Sequence, residues 1–512
     1  MVRAVVSRVV PRERMSKAMA RETSAEAARR AALALQADAP DTANRIPSCA
    51  GDRPEGTGAF IRPLGNSRRV FLLDPHLQAE ELEGLAHRIR VLSKNEGINS
   101  VLIATDDEDD TANDCLPRFL SEWDRPNLGG LTIDNDPQPD HTWHVSGGYD
   151  PVAVAEEKDE EQRVYLLDNI QKLTLATKGH PSKTRVPVIT MPHGVVTDAG
   201  YSLCMGSYVL ATRQTSFRSL NPSRGLSLDP VGFSYLLPRL GWEYRQRSSK
   251  YAGIGMILAL TGYEANCYDM VETGLATHLV NNSSALPLLE RSLATLPPFN
   301  QQGLVKKPIH YYGQPRPMDA NAAFRNMAVA HTIEALTEYS ANASNSLRFD
   351  YTSIDIEDPA LDTDHVPWDS GFFSSDLVDY GATFDKIFKE EKSLEGLMER
   401  FREIGARESD DPDEQECSQV AQDLVGRMEC QSPLALRVVH QLMTLGAGRQ
   451  ATLENCMERE KKVQLKLFEK DDFQNWAKWA RKNQGKDVPA FTSWKHDSVA
   501  AVSAQEIDEI LS

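Results

Sequence analysis

Three stretches of the 512-residue chain combine glycine with small or turn-forming residues directly after a strand-like run. They span residues 144–150, 192–200 and 217–240. A glycine turn lets a backbone N–H group approach a bound molecule closely, because no Cβ atom stands in the way. The commoner meaning of glycine after a strand is a tight turn, and each stretch taken alone predicts no more than that.

The apolar pattern around these stretches predicts the elements that must position them. Residues 70–73, 101–104 and 186–191 predict strands, and apolar residues at helical spacing between 82 and 92 predict a helix. Helices are also predicted at residues 254–260, 384–404, 434–443 and 453–467. The chain is therefore expected to begin its folded part with a strand, helix, strand unit and to be mostly helical in its last third.

Four motifs follow one another in a fixed order. They are Ser146-Gly147-Gly148, His193-Gly194 with Gly200 and Leu203, Gly225-Leu226 with Asp229, and residues 235–240, which read Tyr-Leu-Leu-Pro-Arg-Leu. In this order the sequence resembles the enoyl-CoA hydratase/isomerase (crotonase) superfamily and, within it, the 3-hydroxyisobutyryl-CoA hydrolase branch. The resemblance covers about residues 60–300 and 380–480.

This resemblance implies an α/β fold, with a crotonase-like core of repeated ββα turns and a C-terminal helical region. It also implies hydrolysis of an acyl-CoA thioester in valine catabolism. In that chemistry the thioester carbonyl oxygen becomes an oxyanion, which two backbone N–H groups stabilise. By position, the resemblance assigns these two groups to Ser146 and Ala199, and it places Gly147, Gly148 and Gly200 at the substrate.

The resemblance further implies a catalytic glutamate followed by a supporting aspartate, and here the chain departs from the family pattern. The glutamate position is Asn221, whose carboxamide is neither a useful base near neutral pH nor a nucleophile. The supporting residue is present as Asp229. The family's glycine triplet is Asp198-Ala199-Gly200, and a charge on Asp198 would oppose an oxyanion unless its side chain turns away or is protonated.

Two hypotheses for function follow from these substitutions. In the first, the protein is a mitochondrial 3-hydroxyisobutyryl-CoA hydrolase in which Asp229 or a residue outside the motifs replaces the lost glutamate. In the second, it keeps the fold without the chemistry and acts as a structural or binding subunit, for example in the small subunit of the mitochondrial ribosome. Fold alone does not decide between them.

The composition excludes several classes of protein. The formal net charge is −18, which argues against nucleic-acid binding through a broad basic surface. No apolar run reaches the roughly 18 residues of a membrane helix. The seven cysteines contain no C-x-x-C pair, and His141 and His144 have no third ligand at a persuasive spacing. We therefore predict a reducing compartment, no metal site, no cofactor and no membrane contact.

The charge pattern also suggests how the chain is divided. The first residues are rich in arginine and poor in acid, which is typical of a mitochondrial transit peptide. The predicted division is a leader at 1–55, a core at 56–300 with an acidic insertion at 106–141, a linker with an acidic segment at 301–380, and a helical region at 381–512. Because the negative charge is concentrated in acidic segments, the net charge does not exclude a local contact with the ribosome. Residues 460–462, Glu-Lys-Lys, predict a solvated helix face, with contact to CoA phosphates or to a partner as the alternative.

Overall fold

A computed structural model describes most of the predicted core and of the C-terminal region. The described residues are 59–72, 76–105, 144–145, 148–178, 186–192, 194–212, 215–243, 248–249, 251–280, 285–298, 329, 332–333, 336–340, 380–407, 409–483 and 490–512. The predicted leader and the whole predicted acidic insertion, residues 106–141, therefore lie outside them.

Twelve strands and fourteen α-helices are formed by the described residues. The strands are β1 (Ala59–Leu64), β2 (Ser67–Leu72), β3 (Val101–Thr105), β4 (His144–Val145), β5 (Val188–Met191), β6 (Val195–Thr197), β7 (Tyr208–Ala211), β8 (Ser216–Arg218), β9 (Trp242–Glu243), β10 (Ser248–Ser249), β11 (His278–Val280) and β12 (Thr337–Ser340). The helices are α1 (Ala79–Leu92), α2 (Pro151–Glu156), α3 (Glu160–Lys178), α4 (Phe233–Leu236), α5 (Ala252–Thr261), α6 (Cys267–Thr273), α7 (Ala285–Thr295), α8 (Gly381–Glu390), α9 (Leu394–Gly405), α10 (Pro412–Glu429), α11 (Pro433–Gly446), α12 (Leu453–Phe468), α13 (Asp471–Asn483) and α14 (Ala504–Leu511).

The large sheet has the order β1-β2-β3-β5-β7-β11-β12. Its five inner strands are parallel, and β1 and β12 pair antiparallel at its edges. The hairpin between β1 and β2 turns over two residues, and Gly65 there has φ 53°, a left-handed conformation that glycine adopts without strain. Strand β12 lies within the stretch predicted as a linker.

Helices cover both faces of this sheet, as the alternation of its side chains requires. In β3, Val101 and Ile103 pack into the larger of two apolar clusters, while Leu102 and Ala104 pack into the smaller one. Helices α1 and α3 contribute to the larger cluster and α7 to the smaller one. The prediction of an α/β core is thus confirmed, including the strands at 70–73, 101–104 and 186–191 to within a few residues.

The C-terminal third is helical, as predicted, with one boundary that the pattern did not show. Residues 384–404 form two helices, α8 and α9, because the hydroxyl of Ser393 accepts a hydrogen bond from the Gly396 N–H group and starts a new helix. Ser432 and Thr452 cap α11 and α12 in the same way. None of the helices that the structure describes is long and apolar enough to cross a membrane.

One prediction about this region is wrong. Glu460 on α12 is fully buried, whereas the Glu-Lys-Lys run predicted a solvated surface. Its neighbour Lys461 is partly exposed and pairs with Asp168 and Glu458. The α-helical period places residues 460 and 461 about 100° apart, so a charged run need not share one environment.

Close backbone packing of α5 gives a first testable prediction. A Cβ atom at Gly255 would lie 2.1 Å from the Leu237 carbonyl oxygen, so we expect Gly255→Ala to lower the free energy of unfolding by about 2 kcal/mol or more. Gly426→Ala is the matched control, because no atom lies within 4 Å of its Cβ position on the exposed side of α10. That substitution should stabilise the protein by about 0.5–1 kcal/mol. Urea unfolding of both variants measures the difference, and equal effects would contradict the packing described.

Candidate active site

A small parallel sheet brings the three glycine-containing stretches together. Strands β4, β6 and β8 pair side by side, so the turns that follow them lie at the same edge. The turn after β4 carries Gly148, the turn after β6 carries Ala199, and the turn after β8 carries Asn221. Strand pairing therefore joins residues that are up to 73 positions apart in the sequence.

The N–H group of Ala199, the predicted oxyanion donor, lies in the first turn of a helix. Ala199 is the second residue of a 3-10 helix, Asp198–Met205, and N–H groups in a first helical turn have no partner within the helix. Gly200 follows it and is buried. Gly148 packs directly on Ala199, since a Cβ atom at Gly148 would lie 2.3 Å from the Ala199 Cβ atom, and its φ of 76° also favours glycine.

The other half of the predicted oxyanion site is not described by the structure. Ser146 and Gly147 lie outside the described residues, as does His193. The N–H group of Ser146 as the second donor, and Gly147 as a substrate contact, therefore stay predictions. What the structure does bring together is Gly148 with Ala199.

Asp229 lies at the centre of a buried polar cluster and is 1% exposed. Its Oδ1 atom accepts hydrogen bonds from the Tyr149 hydroxyl at 2.8 Å and from the Gln464 amide at 3.0 Å. Its Oδ2 atom has no hydrogen-bond partner among the described residues. Burial, together with the nearby charge of Asp198, raises the pKa of Asp229 to about 7. A carboxyl group with such a pKa can take up and release a proton near neutral pH.

Asn221 stands beside this carboxyl group and is also 1% exposed. Its amide lies close enough to lower the pKa of Asp229, yet its Nδ2 atom completes no hydrogen bond with a described residue. Among the described residues, the cluster thus contains one buried donor and one buried acceptor that complete no hydrogen bond, although the Asn221 amide lies close enough to Asp229 to lower its pKa. Such groups normally bind a water molecule or a ligand, because leaving them unpaired costs about 1–3 kcal/mol each.

Asp198 turns its carboxylate away from Ala199 and toward the turn that carries Asn221. The N–H group of Leu220 donates to both of its oxygens at 3.1 Å, and the Ser219 hydroxyl donates to Oδ1 at 3.1 Å. The Arg224 guanidinium lies 3.5 Å from Oδ2. Burial raises the pKa of Asp198, and Arg224 opposes that rise. A charge on Asp198 was expected to oppose an oxyanion unless the side chain turned away or was protonated. The first of these two conditions is met.

Three polar residues of the cluster were missed by the sequence reasoning: Tyr149, Gln464 and Arg224. Tyr149 directly follows Gly148, and Arg224 directly precedes Gly225, so both lie inside stretches that had been singled out. Gln464 carried a weaker signal. It falls one helical turn after Glu460, on the apolar face that α12 turns inward.

Glu460 stabilises the segment that follows Asp229. It accepts hydrogen bonds from the N–H groups of Gly232 and Ser234, at 2.8 and 2.7 Å, and from the Ser234 hydroxyl at 2.6 Å. Burial raises the pKa of Glu460 to about 7 despite these bonds. Its hydrogen bonds hold the start of α4, whose first residue, Phe233, lies four positions after Asp229.

No three His, Cys, Asp or Glu side chains come together as a metal site in the part of the chain that the structure describes. The neighbouring groups of Asp229 are instead a hydroxyl, two amides, carboxylates and one guanidinium. This set can hold water and exchange protons.

Comparison with known proteins identifies the family to which these features correspond. The enoyl-CoA hydratase/isomerase family matches residues 143–350 and 363–511. The mitochondrial 3-hydroxyisobutyryl-CoA hydrolases of Gallus gallus and Homo sapiens are 35% and 33% identical over 111 residues. Each match covers 22% of this chain and 26% of the relative, so the chain spans about a quarter of the length of these curated relatives.

Two solved structures share the fold over most of the chain. A carnitinyl-CoA dehydratase from Mycobacterium thermoresistibile superposes with a TM-score of 0.57 at 15% identity, covering 89% of this chain and 96% of the other. An enoyl-CoA hydratase from Rhodobacter sphaeroides 2.4.1 superposes with a TM-score of 0.54 at 13% identity, covering 89% and 97%. These likenesses show the fold, and the fold class expected from the sequence is confirmed.

The raised pKa values predict how stability depends on pH. A carboxyl group whose pKa is higher in the folded than in the unfolded state binds more protons when folded, so stability falls as pH rises through the folded pKa. Since Asp229 and Glu460 both have a folded pKa of about 7 and an ordinary pKa of about 4, the free energy of unfolding should fall between about pH 4 and pH 7. Asp229→Asn should reduce this dependence, which urea unfolding at several pH values measures.

The control is Ser67→Ala, which removes a buried hydrogen bond to the Ser100 carbonyl oxygen without removing a titrating group. It should lower stability by about 1 kcal/mol at every pH. An Asp229→Asn variant with the wild-type pH dependence would show that this carboxyl group titrates as it does in the unfolded chain.

Proposed function

Because the chain belongs to the enoyl-CoA hydratase/isomerase family, we propose that it hydrolyses an acyl-CoA thioester in mitochondria, with 3-hydroxyisobutyryl-CoA of valine catabolism as the substrate. The relatives named as mitochondrial 3-hydroxyisobutyryl-CoA hydrolases support the substrate and the location. The observation on which the proposal depends is the Oδ2 atom of Asp229, on a carboxyl group with a pKa of about 7 beside the Asn221 amide. Neither Asp229 Oδ2 nor Asn221 Nδ2 completes a hydrogen bond with a residue that the structure describes.

In this proposal, Asn221 and Asp229 together bind the attacking water. The Asn221 Nδ2 group donates a hydrogen bond to the water oxygen, and the water donates one of its protons toward Asp229 Oδ2. Asn221 need not be a base in this arrangement, since a carboxamide can orient water as a donor while the neighbouring carboxylate accepts the proton. The loss of the family glutamate is thus offset by a shift of the base to Asp229.

The thioester carbonyl oxygen accepts a hydrogen bond from the Ala199 N–H group, with the Ser146 N–H group proposed as the second donor. Water attacks the carbonyl carbon, a C–O bond forms, and its proton passes to Asp229. The oxyanion then collapses, the C–S bond breaks, and Asp229 returns the proton to the departing CoA sulfur. The products are the free acid and CoA thiol. Each oxyanion donor of this kind is worth about 10²–10³ in rate.

A steady-state assay with 3-hydroxyisobutyryl-CoA tests this function, with released thiol as the readout. We expect kcat/KM to rise with pH through about 7, because Asp229 must be ionised to accept the proton. Asp229→Asn should lower kcat by about 10²–10⁴. The Ser67→Ala variant controls for a general loss of stability and should keep its activity. Equal activity of wild type and Asp229→Asn would exclude Asp229 as the base.

A second candidate function is favoured by the substitutions at the site. Asn221 cannot accept a proton, the Ala199 Cβ atom packs against Gly148, and a second buried carboxyl group, that of Asp198, acts on Asp229. A protein without activity could keep these residues for folding alone. In this proposal the chain is a structural or binding subunit, for example of the small subunit of the mitochondrial ribosome.

The second candidate predicts a different set of results. Wild-type protein should show no turnover of 3-hydroxyisobutyryl-CoA, and Asn221→Glu should restore turnover in part, because it returns a carboxylate to the water position. The native protein should sediment with mitochondrial small subunits at low salt. Wild-type turnover together with its absence from the small-subunit fractions would reject this candidate in favour of the hydrolase.

A further inference from the structure

Asp198 is the one non-glycine residue with a positive φ angle in the described part of the chain, at φ 35°. This region is strained for a residue with a Cβ atom, and the sequence motif that it occupies normally holds glycine. A strained residue persists where its surroundings hold it in place. For Asp198, the groups that do so all belong to the turn after β8.

These groups form a bridge between two turns of the site. The bridge runs from Asp198, directly before Ala199, to the Ser219 hydroxyl and to the N–H group of Leu220, directly before Asn221. One carboxylate therefore holds the turn of the oxyanion donor against the turn of the water-binding amide. A glycine at position 198 could form none of these side-chain bonds.

The bridge also holds a buried charge at a fixed place. Asp198 is 2% exposed, and its charge acts on Asp229, whose pKa it raises. Arg224 pairs with Asp198 at 3.5 Å and lies over the Trp476 ring of α13, 5.7 Å from its centre. The titratable groups that act on Asp229 from the elements around it are Tyr149, Asp198, Arg224 and Glu460.

We propose that Asp198 is a positioning residue of the hydrolase site, which spaces the Ala199 and Asn221 turns and holds a negative charge against Asp229. The inference rests on the proposed hydrolysis. It gives a role to the aspartate at position 198, where the family motif has glycine. Burial is the larger cause of the raised pKa of Asp229, and the charge of Asp198 adds to it, so Asp198 contributes to restricting hydrolysis to neutral and alkaline conditions.

The pH profile of hydrolysis is the decisive test. Asp198→Asn keeps an oxygen that can accept from the Leu220 N–H group, and asparagine tolerates a positive φ, but the charge is lost. The acid limb of the kcat/KM profile should therefore move to lower pH, with maximal kcat within about tenfold of wild type. A purely structural role for Asp198 would leave the midpoint of that limb unchanged, and an unchanged midpoint overturns the proposal.

Asp198→Gly separates the bridge from the charge. It relieves the strained φ but releases both turns, so we expect the same shift in pH together with a loss of kcat of about 10- to 100-fold. Full kcat in this variant would reject the bridging role. The control variant Ser67→Ala, at the start of β2, should change neither the midpoint of the acid limb nor kcat.

A stability measurement keeps the proposal testable even if the wild-type protein hydrolyses nothing. The free energy of unfolding is measured from pH 5 to pH 8 for wild type, Asp198→Asn, Asp229→Asn and the double variant. If the two carboxyl groups interact, Asp229→Asn changes the pH dependence less when Asp198 is already neutral. If the two substitutions change the pH dependence additively, the interaction between Asp198 and Asp229 is rejected. If their effects are not additive but the wild-type protein hydrolyses nothing, the interaction stands and the proposed hydrolysis is rejected.

Discussion

Burying the carboxyl group of Asp229 is costly, because a charge taken out of water must recover its hydration energy from protein groups. Tyr149 and Gln464 donate hydrogen bonds to one oxygen, and the other oxygen accepts none from the residues that the structure describes. The incomplete compensation explains why the pKa of Asp229 rises to about 7 rather than falling. The elements that supply its partners come from three separate parts of the chain, so the site exists only when all three are packed together.

The C-terminal helical region is one of those parts, and it does more than cover the core. Helix α12 directs Gln464 to Asp229 and to the Ser227 N–H group, and it directs Glu460 to the start of α4. These two side chains follow each other at i, i+4 and so lie on one face of the helix. Without α12, buried donors at residues 227, 232 and 234 would lose their acceptors, each at a cost of about 1–3 kcal/mol. The segment from 221 to 240 therefore depends on the last third of the chain for its conformation.

The strands and the three turns could be predicted from local patterns, whereas the crotonase-like fold was implied by the order of the motifs. A continuous apolar run marks β3, and glycine after a strand-like run marks the turns at Gly148 and Gly200. Sequence reasoning did not place Glu460 in the interior, because a glutamate beside two lysines has the composition of a surface. Nor could it show that Asp198 reaches Leu220, since that bond depends on how β6 and β8 pair. Long-range polar contacts leave no periodic trace in a sequence.

The acidic residue at position 198 and the amide residue at position 221 make physical sense as a pair. Asp198 and Asp229 already place two carboxyl groups in one buried cluster, where Arg224 is the cation that lowers the pKa of both. A glutamate at position 221 would add a third carboxyl group next to Asp229, and mutual repulsion would protonate at least one of the three. Asparagine keeps a polar group of similar shape at this place without a charge. The acidic residue at 198 and the neutral residue at 221 are thus linked by the electrostatics of a shared cavity, so neither substitution can be interpreted without the other.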